Sequence, residues 1–472
     1  MQKVGNCEMD ESLRERFKAE VRAMRAWTYL GMTMTFGKVP LITEVLDYNS
    51  PNIPRDEVSV IRDFIMKELT EAAAILPEKY AGGYPNEKGR ITKYACLSLK
   101  ARAALYFGDY ALAESTAKEV MDKGGFSLFK ISSLSDAQKK EAEEMSLYID
   151  FAEKGIDKDE FVKGMFNYEA LWHTENANPD NPEYIMTRQY AASSWNYQDM
   201  TRYTSMRPNQ LGGWSSVTPT QNLVDAYWGV DGHSVPQLPT PEERAKAYNQ
   251  IKADLDAYQK PEGEAKFIAF CQEKIKNGTL KDYKYIQEFR NRDSRMYVSI
   301  LMPFKSWYES NYGDKFVYEW IKNGNNESKT GFNFRKMLSL ENDANGDGQA
   351  TGDYPCIRYA EILLIYAEAH TQTTGYDAAT EAALNQLRDR CGMPDVPSGL
   401  SKEEGLKLIQ NERRIELAGE GFRGDDMTRY SDDYWKEHMN NVPIMTPDGD
   451  TELTMKWSSR MRLKPIPQTA ID

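Results

Sequence analysis

The chain has 472 residues, with 59 Lys and Arg against 72 Asp and Glu for a formal charge of -13, and is 40% hydrophobic and 11% aromatic. That acidic balance argues against nucleic acid or an anionic membrane surface as a partner, while the apolar fraction supports a sizeable core. The cysteines Cys7, Cys96, Cys271, Cys356 and Cys391 are odd in number and scattered, so neither a disulfide framework nor a zinc site is indicated.

The N-terminal residues lack the apolar core of a secretory signal, and Cys7 follows polar residues, unlike a lipid-attachment cysteine. No run approaches the ~20 apolar residues of a membrane span. The first helix is predicted over Ser12 to Thr35, with Phe17, Val21, Met24 and Thr28 as its apolar stripe, and a second over Arg55 to Leu76. Ile91 to Gly124 then reads as a helix hairpin. Ala95, Leu99, Ala103 and Tyr106 form one stripe, Phe107 to Tyr110 the turn, and Ala113, Ala117 and Val120 the return stripe. Small alanines between bulky residues at these offsets resemble a tetratricopeptide hairpin, which must stack on others to bury its faces.

From Phe126 to Asp353 the helical pattern becomes intermittent and Gly, Pro, Asn and aromatic residues rise, interrupted by a charged stretch at Ser135 to Glu144 and a helical pattern at Glu242 to Lys276. The helical pattern returns at Cys356 to Arg390. There Ile362, Ile365, Tyr366 and Ala369 share a face, Glu361 and Glu368 lie off it, and the chain turns near Gly375. A last helix is predicted over Lys402 to Gly419. The expected organisation is a mostly α fold: a helical part at 1–125, a loop-rich lobe at 126–353, and a helical part at 354–472 completing the scaffold.

Several short motifs occur in order along the chain: Arg25-Ala26-Trp27-Thr28-Tyr29, Phe36-Gly37-Lys38-Val39-Pro40, Gly89-Arg90-Ile91-Thr92, and Pro219-Thr220-Gln221-Asn222-Leu223-Val224-Asp225 with Asp231-Gly232. They continue through Asn291-Arg292-Asp293-Ser294-Arg295, Ile357-Arg358-Tyr359-Ala360-Glu361, Asn411-Glu412-Arg413-Arg414 and Pro465-Ile466-Pro467. This succession resembles the SusD/RagB family of outer-membrane nutrient-binding lipoproteins of Bacteroidetes-type bacteria. The resemblance implies a tetratricopeptide-like scaffold docking on a SusC-like TonB-dependent transporter, a loop-rich lobe capturing glycan at the cell surface, and no catalysis. Family members begin with a signal peptide, a lipidated cysteine and a further helical segment, and many continue past the Pro-Ile-Pro motif. The resemblance therefore implies a truncated chain whose lipid anchor is inferred.

Sugar recognition needs flat apolar faces for C–H surfaces and planar polar groups for hydroxyls. The lobe offers Trp195, Asn196 and Tyr197, then Trp214 beside Gly212 and Gly213, then Trp307, Tyr308 and Tyr312; the alternative is that these rings fill the lobe's own core. Asp343, Asn345 and Asp347 copy the first half of a calcium loop, but position twelve is Tyr354 and not a glutamate, so a solvated turn is the preferred reading. No other cofactor is expected. Glu412, Glu416 and Glu420 invite a glycosidase reading, whereas their spacing with Arg413, Arg414, Arg423 and Arg429 fits an ion-pair network better. His173, His233, His370 and His438 have no partner at metal-ligand spacing, and no phosphate loop or nucleophile elbow is present. The competing functions are a helical-scaffold glycoside hydrolase and a tetratricopeptide adaptor for peptides.

Overall fold

The computed structural model describes residues 2–47, 53–80, 87–190, 206–308, 316–338 and 352–466. Helix α1 (Glu11–Phe36) starts where the Asp10 carboxylate accepts from the N–H groups of Ser12 and Leu13, and ends at Gly37, whose φ of 74° suits glycine. Its buried face is Ala19, Ala23, Ala26, Leu30 and Thr33, while Val21 and Met24 are exposed. The predicted Phe17/Val21/Met24/Thr28 stripe is thus on the wrong side. The alanine side faces α2 (Val58–Ile75) because only small residues let two helices approach closely.

Helices α3 (Lys93–Tyr106) and α4 (Tyr110–Lys123) form the expected hairpin, capped by Thr92 and Asp109 and turned at Gly108, φ 78°. Packing runs in order from α1 to α4. Through the middle of the chain follow α5 (Asp136–Glu144), α6 (Phe151–Lys154), α7 (Lys158–Ala170), α8 (Gln221–Ala226), α9 (Pro241–Ala257), α10 (Lys266–Lys276), α11 (Lys284–Gln287) and α12 (Ser294–Ser299). The single pattern expected over Glu242 to Lys276 is two helices. The break at 258–265 contains Pro261 and Gly263, the latter at φ 84°.

The C-terminal helices are α13 (Tyr359–Thr373), α14 (Ala378–Cys391), α15 (Lys402–Glu416), α16 (Phe422–Arg429) and α17 (Asp432–Met439). Helix α13 packs on α3, α4, α14 and α15, so every side of it is covered from Tyr359 to Thr371. Glu361 and Glu368, expected off the apolar face, are buried as well, paired with Arg102 at 2.6 Å and Arg429 at 2.7 Å. One expectation is corrected: residues Cys356 to Arg358 are not helical. They belong to strand β6 (Tyr354–Arg358), antiparallel to β1 (Tyr184–Arg188).

The lobe's other strands are two-residue pairs: β2 (Ile300–Leu301) with β5 (Asn333–Phe334), and β3 (Ser306–Trp307) with β4 (Phe316–Val317). A hairpin of β7 (Pro443–Met445) and β8 (Thr451–Thr454) follows α17. Two large apolar clusters result. One joins α1 to α4 with α13 to α15; the other is aromatic-rich and contains edge-on pairs such as Tyr248 with Tyr285, centroids 5.2 Å apart. Helix α7 lies against both α12 and α14. A Cβ on Gly164 would sit 2.1 Å from the Cys391 carbonyl carbon, so the close crossing there requires glycine.

Candidate ligand-binding surface

Trp214 is carried by a short loop whose geometry follows from its sequence. Pro208 and Asn209 open a turn closed by N–H bonds from Leu211, Gly212 and Gly213, and the Arg207 guanidinium donates to the Leu211 carbonyl at 3.0 Å. Gly212 adopts φ 79°, Ser215 φ 46°, and a Cβ on Gly213 would meet the Arg207 carbonyl oxygen at 2.1 Å. Leu211 is buried as the loop's anchor, and Ser215 N–H returns to the Arg207 carbonyl at 3.0 Å. The consequence is a rigid tip that leaves Trp214 45% exposed, with Val217 also exposed nearby in sequence.

Trp307 and Tyr308 part company. Tyr308 is half-buried, donates its hydroxyl to Glu144 at 2.5 Å, and lines a cleft of about 310 Å³ with Ser135, His173, Glu175 and Asn176. Burial, then the hydrogen bond to Glu144, raises its hydroxyl pKa. Trp307 is 1% exposed, with the Arg335 guanidinium 5.0 Å from its ring centre. As a sugar platform it is therefore corrected: its ring is enclosed by the lobe's aromatic core, and Arg335 is itself fixed by Glu141 at 2.6 Å and Glu169 at 2.5 Å. Trp195, Asn196, Tyr197 and Tyr312 lie outside the described residues, as do Asp343, Asn345 and Asp347. Among the described residues no cluster of three or more His, Cys, Asp or Glu side chains could hold a metal.

The carboxylates that invited a glycosidase reading form something else. Glu412 and Glu416 are fully buried. Arg295 bridges them at 2.7 and 3.1 Å and also binds Asp293 at 2.8 Å; Arg388 holds Glu412 at 2.6 Å; Arg358 binds Glu183, Glu416 and Glu420 at 2.7 to 2.8 Å. Arg390 adds bonds to Glu183 and Glu416, and Lys336 to Glu420. Five cations thus meet five carboxylates, a balance that a buried network requires. Burial pushes Glu416 upward, but Arg390, Arg358 and Arg295 more than reverse this and hold it well below the usual carboxylate range. Such a group neither reaches a substrate nor stores a proton for it. The sequence reading anticipated ion pairs but placed them along one helix; most partners arrive from segments far away in the chain. The Arg335, Glu141 and Lys305 set was missed altogether, because no local spacing marks it.

The family model of the SusD family matches residues 182–472. SusD-like protein P38 of Formosa agariphila is 22% identical over 428 residues, covering 88% of this chain; the chain spans 66% of that relative's length. A SusD-like protein from Bacteroides fragilis has a crystal structure that superposes with a TM-score of 0.72 at 25% identity, over 100% of this chain and 80% of that one. A second Bacteroides fragilis protein, a SusD-like carbohydrate-binding protein, gives 0.65 at 21% identity over 98% and 79%. No helix among the described residues is long and apolar enough to cross a membrane.

Proposed function

This chain belongs to the SusD family, and on that premise we propose that it is a non-catalytic glycan-binding subunit at the outer-membrane surface, serving a SusC-like TonB-dependent transporter. The single observation that carries the ligand assignment is the rigid loop that holds Trp214 with its ring open to solvent. An indole face preset in this way suits the C–H face of a sugar, because no ordering of the loop has to accompany binding. The carbohydrate-binding relative from Bacteroides fragilis supports the same ligand class. Capture is assigned to the lobe at 126–353 and transporter docking to the helical body at 1–125 and 354–472. Tyr308, at its polar cleft, is the second described residue assigned to the site.

Calorimetry against a panel of soluble α-glucans, β-glucans and xylans tests the reading, with product analysis of every glycan that binds. Saturable binding without release of new reducing ends is expected. Absence of binding across neutral glycans, or turnover of a bound one, would overturn it.

A further inference from the structure

His370 stands near the end of α13 with a carboxylate at each ring nitrogen. Its Nδ1 is 2.7 Å from Glu114 Oε1 on α4, and its Nε2 is 3.1 and 3.2 Å from the two oxygens of Asp377, which precedes α14. A neutral imidazole has one donor and one acceptor, so it satisfies only one of these anions; the imidazolium satisfies both. The Asp377 carboxylate has a second task. Its Oδ1 accepts from the N–H groups of Ala379 at 2.9 Å and Thr380 at 3.3 Å, as the N-cap of α14. One proton on His370 thus bears on α4, on α13 and on the start of α14 together.

The two carboxylates are not equivalent. Glu114 is also held by the Thr373 hydroxyl at 2.6 Å and makes the shorter bond to the ring, whereas Asp377 is 47% exposed on the turn. Loss of the proton therefore favours Nδ1–H on Glu114 and leaves the Nε2 lone pair facing Asp377. Gly375, at φ 115° and with open space where a Cβ would stand, gives the turn room to move. Other charged groups on the elements packed around α13 are engaged elsewhere. Lys118 of α4 pairs with Asp122 at 3.0 Å, Arg102 of α3 with Glu361 more than two turns back, and Lys402 of α15 donates to the Gln372 carbonyl at 2.6 Å. Arg413 of α15 and Arg429 of α16 face Glu368, on the opposite side of α13 from His370. Tyr366, one turn before, stacks on the imidazole with centroids 5.5 Å apart.

We infer that His370 is a proton-operated fastener of the α13–α14 turn: protonated, it holds Asp377 in position to cap α14, and on losing the proton it lets Asp377 go, loosening the turn and the first turn of α14 while the rest of α13 stays packed. Burial weakens the histidine's hold on its proton, but the hydrogen bonds to Glu114 and Asp377 outweigh this and raise its pKa. The fastener is therefore closed below the ordinary histidine value near about 6.5 and opens as pH rises through the higher folded value. Helix α14 also packs on α7 and sends Arg388 and Arg390 into the buried charge network, so the fastener acts on an element that joins the helical body to the lobe.

Hydrogen exchange followed by mass spectrometry, expressed as protection factors corrected for the intrinsic effect of pH, tests this between roughly pH 5.5 and 9. In the wild type, protection over residues 378–381 should fall at least about fivefold across that range, while residues 362–366 in the middle of α13 keep theirs. His370→Gln and Asp377→Asn should each give a flat profile over 378–381. Asp377→Asn retains a capping oxygen, so it removes the ion pair without removing the cap and decides the matter if His370→Gln does not fold. An unchanged wild-type profile, a fall shared equally by 362–366, or a fall that persists in Asp377→Asn would overturn the inference.

Discussion

Arg358 donates to Glu416 at 2.7 Å with both side chains buried, tying the last residue of β6 to the last residue of α15. Through Glu183, which precedes β1, and Arg295 on α12, the same network reaches the lobe. It therefore sits where the helical body meets the aromatic core, and its balance of charge is a condition for the two to join.

Glu416→Gln should cost about 3–5 kcal/mol of unfolding free energy, because Arg295, Arg358 and Arg390 would lose their shared anion while remaining buried. Equilibrium urea unfolding checks this. A loss under 1 kcal/mol would mean that the network is incidental to stability.

Acid should destabilise the protein steeply. In Glu141, Glu412, Glu416, Glu420 and Asp426, burial acts upward but neighbouring Arg and Lys groups win, so the folded values lie below the unfolded ones. Their stabilisation is complete above the unfolded carboxylate range near about 4 and is lost as pH falls through the folded values. Asp353, raised by burial to about 6, and Glu288, Glu319, Glu327 and Asp425, also raised by burial, act in the opposite sense but are outnumbered once Glu114, Asp150, Asp231 and Asp448, also held low, are added. The urea midpoint should therefore drop from about pH 5 downward.

His370 has the reverse sign. Burial lowers its pKa, but hydrogen bonds to Glu114 and Asp377 outweigh this and raise it above the ordinary value. Its stabilisation is present below about 6.5 and fades as pH rises through the folded value. The wild type should lose stability between pH 6 and 8 more than His370→Gln does; parallel profiles would refute this.

The helices were legible in the sequence because alanine stripes such as Ala95, Leu99 and Ala103 repeat at helical spacing, and the family succession was legible because its motifs are local. The face of α1 was misread because Val21 and Met24 look more apolar than Ala19 and Ala23, whereas close packing selects for size. Trp214 and Trp307 each lie beside serine, Ser215 and Ser306, in polar, loop-like sequence. Their difference lies in Gly213 beside Arg207 and in Arg335 held by Glu141, contacts that no spacing rule connects.

Close packing at Ala369 gives a direct test of the hairpin. The residue is fully buried on α13, which is covered by α3, α4, α14 and α15. Ala369→Leu should overpack the interface and cost about 1–3 kcal/mol, seen as a lower melting temperature. No change would mean that the helices can separate there without penalty.

The contrast between the two tryptophans is the most discriminating test of the surface. Trp307→Ala removes a buried ring and should cost about 3–5 kcal/mol of stability. Trp214→Ala removes an exposed one and should change stability by no more than about 0.5 kcal/mol while weakening glycan affinity roughly five- to a hundred-fold. Gly213→Ala separates positioning from contact: its Cβ would collide with the Arg207 carbonyl and move the loop, so affinity should fall although the indole remains. All three variants should still associate with the transporter in a pull-down when folded, since docking is assigned to the helical body. Retained glycan affinity in both Trp214→Ala and Gly213→Ala would show that the ligand is held elsewhere.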